Sequence, residues 1–143
     1  MKVDFYVLEN ASQQEAWRYA CQLIERIYAD EPSIYVHTAS QQEAERMDAL
    51  MWTYQDQSFL PHEIIDEANN CLSPIQIGYQ LAPKTKNQTL VNLTPQIPGF
   101  YQQFSHIIEI VFSDPSVQQL ARERFRQYRE AGCELNTHKP STK

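Results

Sequence analysis

Val3-Asp4-Phe5-Tyr6-Val7-Leu8, followed after Glu9-Asn10 by Ala11-Ser12-Gln13-Gln14-Glu15-Ala16, is the stretch that decides the fold. The first six residues are rich in aromatic and β-branched side chains and read as a strand. The second six open a helix: Ser12 accepts from the amide three residues on, and Glu15 reaches back, a capping box. The same hexapeptide returns at Ala39-Ser40-Gln41-Gln42-Glu43-Ala44, directly behind a second strand, Ile34-Tyr35-Val36-His37-Thr38. An internal repeat is one reading. The simpler one is that two helices follow two strands and share one cap chemistry.

Helix one carries Ala16, Ala20, Leu23 and Ile27, with Trp17, Ile24 and Tyr28 alongside, at helical spacing, and Pro32 blocks its continuation. Helix two spans 41–54, with a core stripe of Ala44, Met47, Leu50, Met51 and Tyr54. Further strands read at Ile75–Tyr79 and Leu90–Leu93, separated by the polar hinge Pro83–Asn87. A short helix is expected near Phe100–Phe104 and a strong strand at Ile107–Phe112. Asp114 then caps a last helix with Pro115 at its first position, and Gly132 ends it. Strands alternating with helices imply an α/β fold: one three-layer domain over residues 1–143, a mostly parallel sheet covered on both faces, and right-handed connections. Residues 136–143 read as a flexible tail.

The chain has the length of one ordinary domain, and an apolar fraction of 42% with eight Tyr, six Phe and two Trp excludes a disordered class. No apolar run is long enough to span a membrane, and Met1–Phe5 has no signal-peptide layout, so a cytoplasmic protein is expected. Cys21, Cys71 and Cys133 are far apart and lack ligand spacing; no metal is expected, and Cys21 reads as core. The net charge of -6 divides unevenly: residues 1–70 hold thirteen acids against four bases, residues 71–143 five acids against eight bases. A chain so acidic lacks the broad basic surface of a nucleic-acid binder, but a local basic patch is present.

Catalysis is poorly supplied. Ligands of open α/β sheets sit at the carboxyl ends of strands, where a glycine-rich turn admits phosphate. This chain has three glycines, no phosphate-binding loop, and the acidic turn Glu9–Ser12 after strand one. His37 reads as a satisfied core or strand-end histidine, and His106 opens a strand. His138 lies near Cys133 but has no orienting third group. Asp4 has no second carboxylate beside it in sequence to share a Mg²⁺. No catalytic residue and no cofactor is expected.

Two surfaces read as made for partners. In Leu120-Ala121-Arg122-Glu123-Arg124-Phe125-Arg126-Gln127-Tyr128-Arg129, a helical wheel puts Val117, Leu120, Ala121, Tyr128 and Ala131 on the sheet-facing stripe. Arg122, Arg126 and Arg129 share a flank with Gln118 beside them, and Phe125 stands at its border. Arg124 points into the apolar stripe, a structural position for pairing a carboxylate or capping carbonyls. On helix two, Trp52 stands off the core stripe, and the apolar loop Ser58-Phe59-Leu60-Pro61-His62 follows; large rings displaced from a core are the material of interface hot spots.

These stretches, with Met1–Leu8 at the start and Leu135-Asn136-Thr137 behind the last helix, resemble the chi subunit family of bacterial DNA polymerase III. The resemblance implies a Rossmann-like, nucleotide-free α/β fold and a non-catalytic clamp-loader accessory protein with two partners. One is the psi subunit, met at the positions of Trp52, Phe59, Pro61 and His62. The other is the C-terminal tail of single-stranded DNA-binding protein, an acidic segment ending in Phe. There Arg122 would fork onto the terminal carboxylate, Phe125 and Val111 would wall the Phe pocket, Gln118 would stand beside them, and Arg126 or Arg129 would meet the tail's acids. Two departures stand out: the family's usual Tyr is Phe125, and a Lys often found near Gln118 is missing. Competing readings are a divergent nucleotide hydrolase working near Glu9–Ser12 and a direct single-strand binder using Lys84, Lys86 and the last-helix arginines.

Overall fold

A computed structural model describes residues 1–9, 11–31, 33–53, 61–65, 73–79 and 89–140. Pro32, Tyr54, Phe59, Cys71, Lys84 and Lys86, each given a role above, lie outside the described residues. In chain order come β1 (Lys2–Val7), α1 (Gln13–Tyr28), β2 (Ile34–Thr38), α2 (Gln41–Thr53), β3 (His62–Ile64), β4 (Ile75–Tyr79) and β5 (Thr89–Asn92). A 3-10 turn (Tyr101–Gln103), β6 (His106–Val111), α3 (Pro115–Glu130) and β7 (Glu134–His138) complete it. The seven strands form one sheet in the order β3-β4-β2-β5-β6-β1-β7, and every described pairing is parallel.

Local chemistry starts the helices. The Ser12 hydroxyl accepts from Glu15 N at 3.2 Å, and the Glu15 carboxylate accepts from Ser12 N at 3.1 Å, so the first capping box is complete. In α2 the Ser40 hydroxyl accepts from Glu43 N at 3.2 Å, while the Glu43 side chain lines a hollow near Trp17. Helices then cover both faces. Ala16, Ala20 and Ile24 of α1 and Ala44, Met47 and Met51 of α2 pack on one face, against Ile34, Val36, Ile77 and Ile108. Ala121 and Tyr128 of α3, with Phe104, pack on the other against Val3, Phe5, Leu90 and Ile107. Each buried Val, Leu, Ile, Met or Phe side chain among them contributes about 1.5–3 kcal/mol by leaving water, which is why the strands read as nearly unbroken apolar runs.

The seating of α3 corrects the wheel. Leu120 and Ala131, expected toward the sheet, are exposed, and Ala121, Arg124 and Tyr128 are the buried positions. The cause is Glu109, fully buried in the middle of β6. A carboxylate there requires donors. Arg124 Nε donates to it at 3.1 Å, the Tyr128 hydroxyl at 2.7 Å and Asn92 Nδ2 at 3.0 Å, while Arg124 Nη1 donates to the Pro95 carbonyl at 2.8 Å. Both structural roles open to Arg124, carboxylate partner and carbonyl cap, are realised together. The helix is rotated to bring the guanidinium to Glu109 rather than to bury Leu120.

Gly132, at φ +86°, ends α3 with bonds from its own amide to the Arg129 carbonyl and from Cys133 N to the Tyr128 carbonyl, each 3.1 Å. This glycine-terminated hook turns the chain into β7. The expected tail from residue 136 is therefore corrected: Asn136, Thr137 and His138 are strand, paired with Asp4, Phe5 and Tyr6 of β1. β3, at the opposite edge, is also absent from the sequence reading, because three residues are too few for a periodic signal.

Candidate functional site

Alternation decides which residues of β1 can meet α3. Val3 and Phe5 pack in the α3-side core, with Val7 partly buried against it, whereas Asp4 faces the other way. The Asp114 carboxylate accepts from Ser116 N at 2.8 Å and Val117 N at 3.3 Å, starting α3 just past the end of β6. The helix then runs back across β1. Between its Gln118–Arg122–Phe125 flank and strands β1 and β7 lies a hollow of about 380 Å³. Phe5, Val7, Val111 and Ala121 form its apolar floor, Gln118, Arg122 and Phe125 one bank, Thr137 and Lys139 the other, and Glu9 completes the lining.

Phe125 is half-buried, its ring 5.3 Å from that of Phe5 at 58°. Arg122 is exposed, and among the described residues no carboxylate lies within salt-bridge distance of it. The internal ion pair of this helix belongs to Arg124 instead. Four residues singled out in the sequence, Arg122, Phe125, Val111 and Gln118, thus meet around one cavity. Arg126 and Arg129 are exposed on α3 and stand outside that lining. Phe5 and Val7 could have been found from strand alternation; Thr137 and Lys139 could not, because they arrive through β7.

The second surface is described in part. Trp52 is 49% exposed on α2. His62, expected as a contact residue, is buried on β3, with Nε2 3.3 Å from Asp48 Oδ1 and its ring 4.5 Å from the Trp52 ring. The two rings are tilted at 48° to each other. Pro61 is half-buried at the start of β3, and Phe59 is outside the described residues.

The polar residues weighed for chemistry have structural settings. Asp4, isolated in sequence, is buried and accepts from His106 Nε2 at 2.6 Å and His138 Nε2 at 3.0 Å. His106 Nδ1 reaches Glu31 at 2.9 Å, and Glu31 accepts from the Thr89 hydroxyl at 2.6 Å. Burial alone would raise both carboxyls, but these hydrogen bonds hold each below its ordinary value. His138 stacks on Tyr6 at 4.6 Å, and Cys133 contacts the Met1 sulfur, so the thiol–imidazole pairing weighed from sequence does not form. His37 departs from the satisfied histidine expected: its buried Nδ1 has no hydrogen-bond partner, and burial lowers its pKa to about 4. Burial pushes the Cys21 thiol up to about 12, as suits a core residue. Among the described residues no cluster of three or more His, Cys, Asp or Glu is arranged to hold a metal, and no helix is long and apolar enough to cross a membrane.

A parallel sheet covered on both faces, with a cation over an apolar hollow beside its carboxyl edge, is a three-layer α/β scaffold of Rossmann-like type carrying a candidate binding hollow. The chain belongs to the DNA polymerase III chi subunit family: the family model described as DNA polymerase III chi subunit, HolC, matches residues 1–136. It is 33% identical over 138 residues to DNA polymerase III subunit chi of Pseudomonas aeruginosa, covering 96% of each chain. To the Escherichia coli (strain K12) protein of that name it is 28% identical, covering 93% of this chain and 94% of the relative. It is accordingly a replication accessory subunit and not the catalytic one. In fold alone it is similar to a solved structure described as the crystal structure of T4 UvsW, with a TM-score of 0.70 at 7% identity, covering 99% of this chain and 42% of that one.

Proposed function

We propose that this subunit is a bridge in the cytoplasm, carrying the psi subunit of the clamp-loader complex on its Trp52 surface and the C-terminal tail of single-stranded DNA-binding protein in the Arg122 hollow. The observation that carries the reading is the Arg122 guanidinium, without an ion-pair partner among the described residues, beside a slot floored by Phe5, Val7 and Val111. A chain end finishing in Phe offers a carboxylate for the guanidinium fork and a benzyl group for the slot. Phe125 walls the pocket by ring contact alone, without a hydroxyl. One ring and a few screened charges bind at about micromolar strength.

The two surfaces are far enough apart to act independently. Trp52 stands on α2, in the layer covering β2, β4 and β3, whereas the hollow lies over β1 and β7 on the other face. Four or five strand spacings at ~4.8 Å separate them by about 20 Å, well beyond the Debye length. The test is a fluorescence-anisotropy titration with an acidic peptide ending in Phe, beside a pull-down of psi. Arg122→Ala should abolish peptide binding and spare psi, and Trp52→Ala should do the reverse. Equal losses of both partners from either change would end the two-surface reading.

A further inference from the structure

Arg122 supplies one cation to the hollow, enough for a terminal carboxylate, and the acidic residues that precede it on a bound peptide need another. Arg126 is one helical turn, ~6 Å, along α3 from Arg122, and Arg129 lies ~10 Å along it, toward the amino ends of the strands. Between them and the hollow stands Phe125, packed on Phe5 with ring centroids 5.3 Å apart, and Cys133 and Leu135 pack into the same core. The hollow is walled on that side. Its other end, toward the carboxyl termini of β1 and β7, carries Glu9 and Lys139.

Strand register explains how a lysine comes to be there. Phe5 pairs with Thr137 and Tyr6 with His138 in the parallel β1–β7 ladder. Alternation puts Thr137 of β7 on the face that Phe5 and Val7 occupy on β1; Lys139, just past the end of β7, follows it, and all four line the hollow. Lys139 is exposed, and among the described residues no acid lies within salt-bridge distance of it. Two cations therefore face each other across one apolar slot, one on α3 and one beyond β7.

We propose that Lys139 is the second cation of this hollow, meeting the acidic residues that precede the terminal aromatic of the bound peptide, a role that Arg126 and Arg129 do not take. This rests on the reading of the hollow as a peptide-end site. The peptide enters from the carboxyl edge of the sheet, its terminal carboxylate on Arg122, its ring on Phe5 and Val111, and its preceding acids under Lys139. Glu9, in the same lining, opposes them and limits affinity.

The experiment titrates the full chain and its variants with a labelled acidic peptide ending in Phe, as free acid and as C-terminal amide, at two salt concentrations. Lys139→Ala should weaken the free-acid peptide about three- to tenfold and flatten its salt dependence, Lys139→Glu should weaken it more, and Glu9→Gln should tighten it about twofold, as expected for partly screened ion pairs. Arg126→Ala and Arg129→Ala should stay within twofold of the parent. Amidation should cost the Lys139→Ala variant the same factor as the parent, because only partners in contact are non-additive. Parent-like affinity in Lys139→Ala, losses in Arg126→Ala or Arg129→Ala that match it, or an amidation effect that vanishes in Lys139→Ala would overturn the assignment while leaving the hollow as the site. Parent-like binding by Arg122→Ala would remove the underlying reading itself.

Discussion

Replacing Arg124 with alanine strikes the ion pair that seats α3. Arg124 is 4% exposed and Glu109 0%. The change deletes the 3.1 Å bond to Glu109 and the 2.8 Å bond to the Pro95 carbonyl, leaving the buried carboxylate with Asn92 and Tyr128 as donors. Removing one partner of a buried pair costs ~3–5 kcal/mol. The two surviving donors, and protonation of a glutamate whose pKa burial already raises against the pull of Arg124, hold the loss near the lower end, about 3–4 kcal/mol. With ~2.1 cal/mol/K of unfolding entropy per residue over 143 residues, the melting midpoint should fall by roughly 10–13 °C. Arg122→Ala, two positions away, removes an exposed side chain and should change stability by less than ~0.5 kcal/mol. Thermal and urea melts followed by circular dichroism measure both. A parent-like melt for Arg124→Ala, or a larger loss for Arg122→Ala, would refute the account of how α3 is held. The double change Arg124→Met with Glu109→Leu should recover most of the loss, since an apolar pair of similar size needs no partner.

The Asp4–His106–Glu31 cluster predicts an acid limb. Both carboxyls sit below their ordinary values, so their stabilisation is complete above about pH 5 and is lost as pH falls through the folded-state values. Urea midpoints should drop below that pH, and His106→Asn should flatten the slope; an unchanged slope would place its origin elsewhere. Gly78→Ala puts a methyl group against the Tyr35 hydroxyl and ring, for an overpacking cost of about 1–3 kcal/mol. Tyr35→Phe in that background should recover part of it, measured by urea unfolding. Gly132→Ala meets open space but keeps a φ of +86°, so its cost should be backbone strain alone, about 1–2 kcal/mol, with peptide affinity following stability rather than contact.

Much of the fold and half of the candidate site are legible in the chain because the signals are local. Ser12 with Glu15, Asp114 with Pro115, and Gly132 act within one helical turn, so their positions are enough to start and stop α1 and α3. Apolar periodicity likewise marks β1, β2, β4 and β6, and the Arg122–Phe125 flank follows from helix geometry. What sequence alone leaves undecided is set by partners far along the chain. The rotation of α3 depends on Glu109, 15 residues from Arg124. The fate of Asp4 depends on His138, 134 residues away, and the conversion of an expected tail into β7 depends on pairing with β1 at the other end of the chain. Pairing order and burial are collective, since a strand edge or a buried carboxylate takes whichever distant group the whole packing brings to it. For that reason Arg122 could be named from the helix alone, while Lys139 on the opposite bank became visible only once the sheet was assembled.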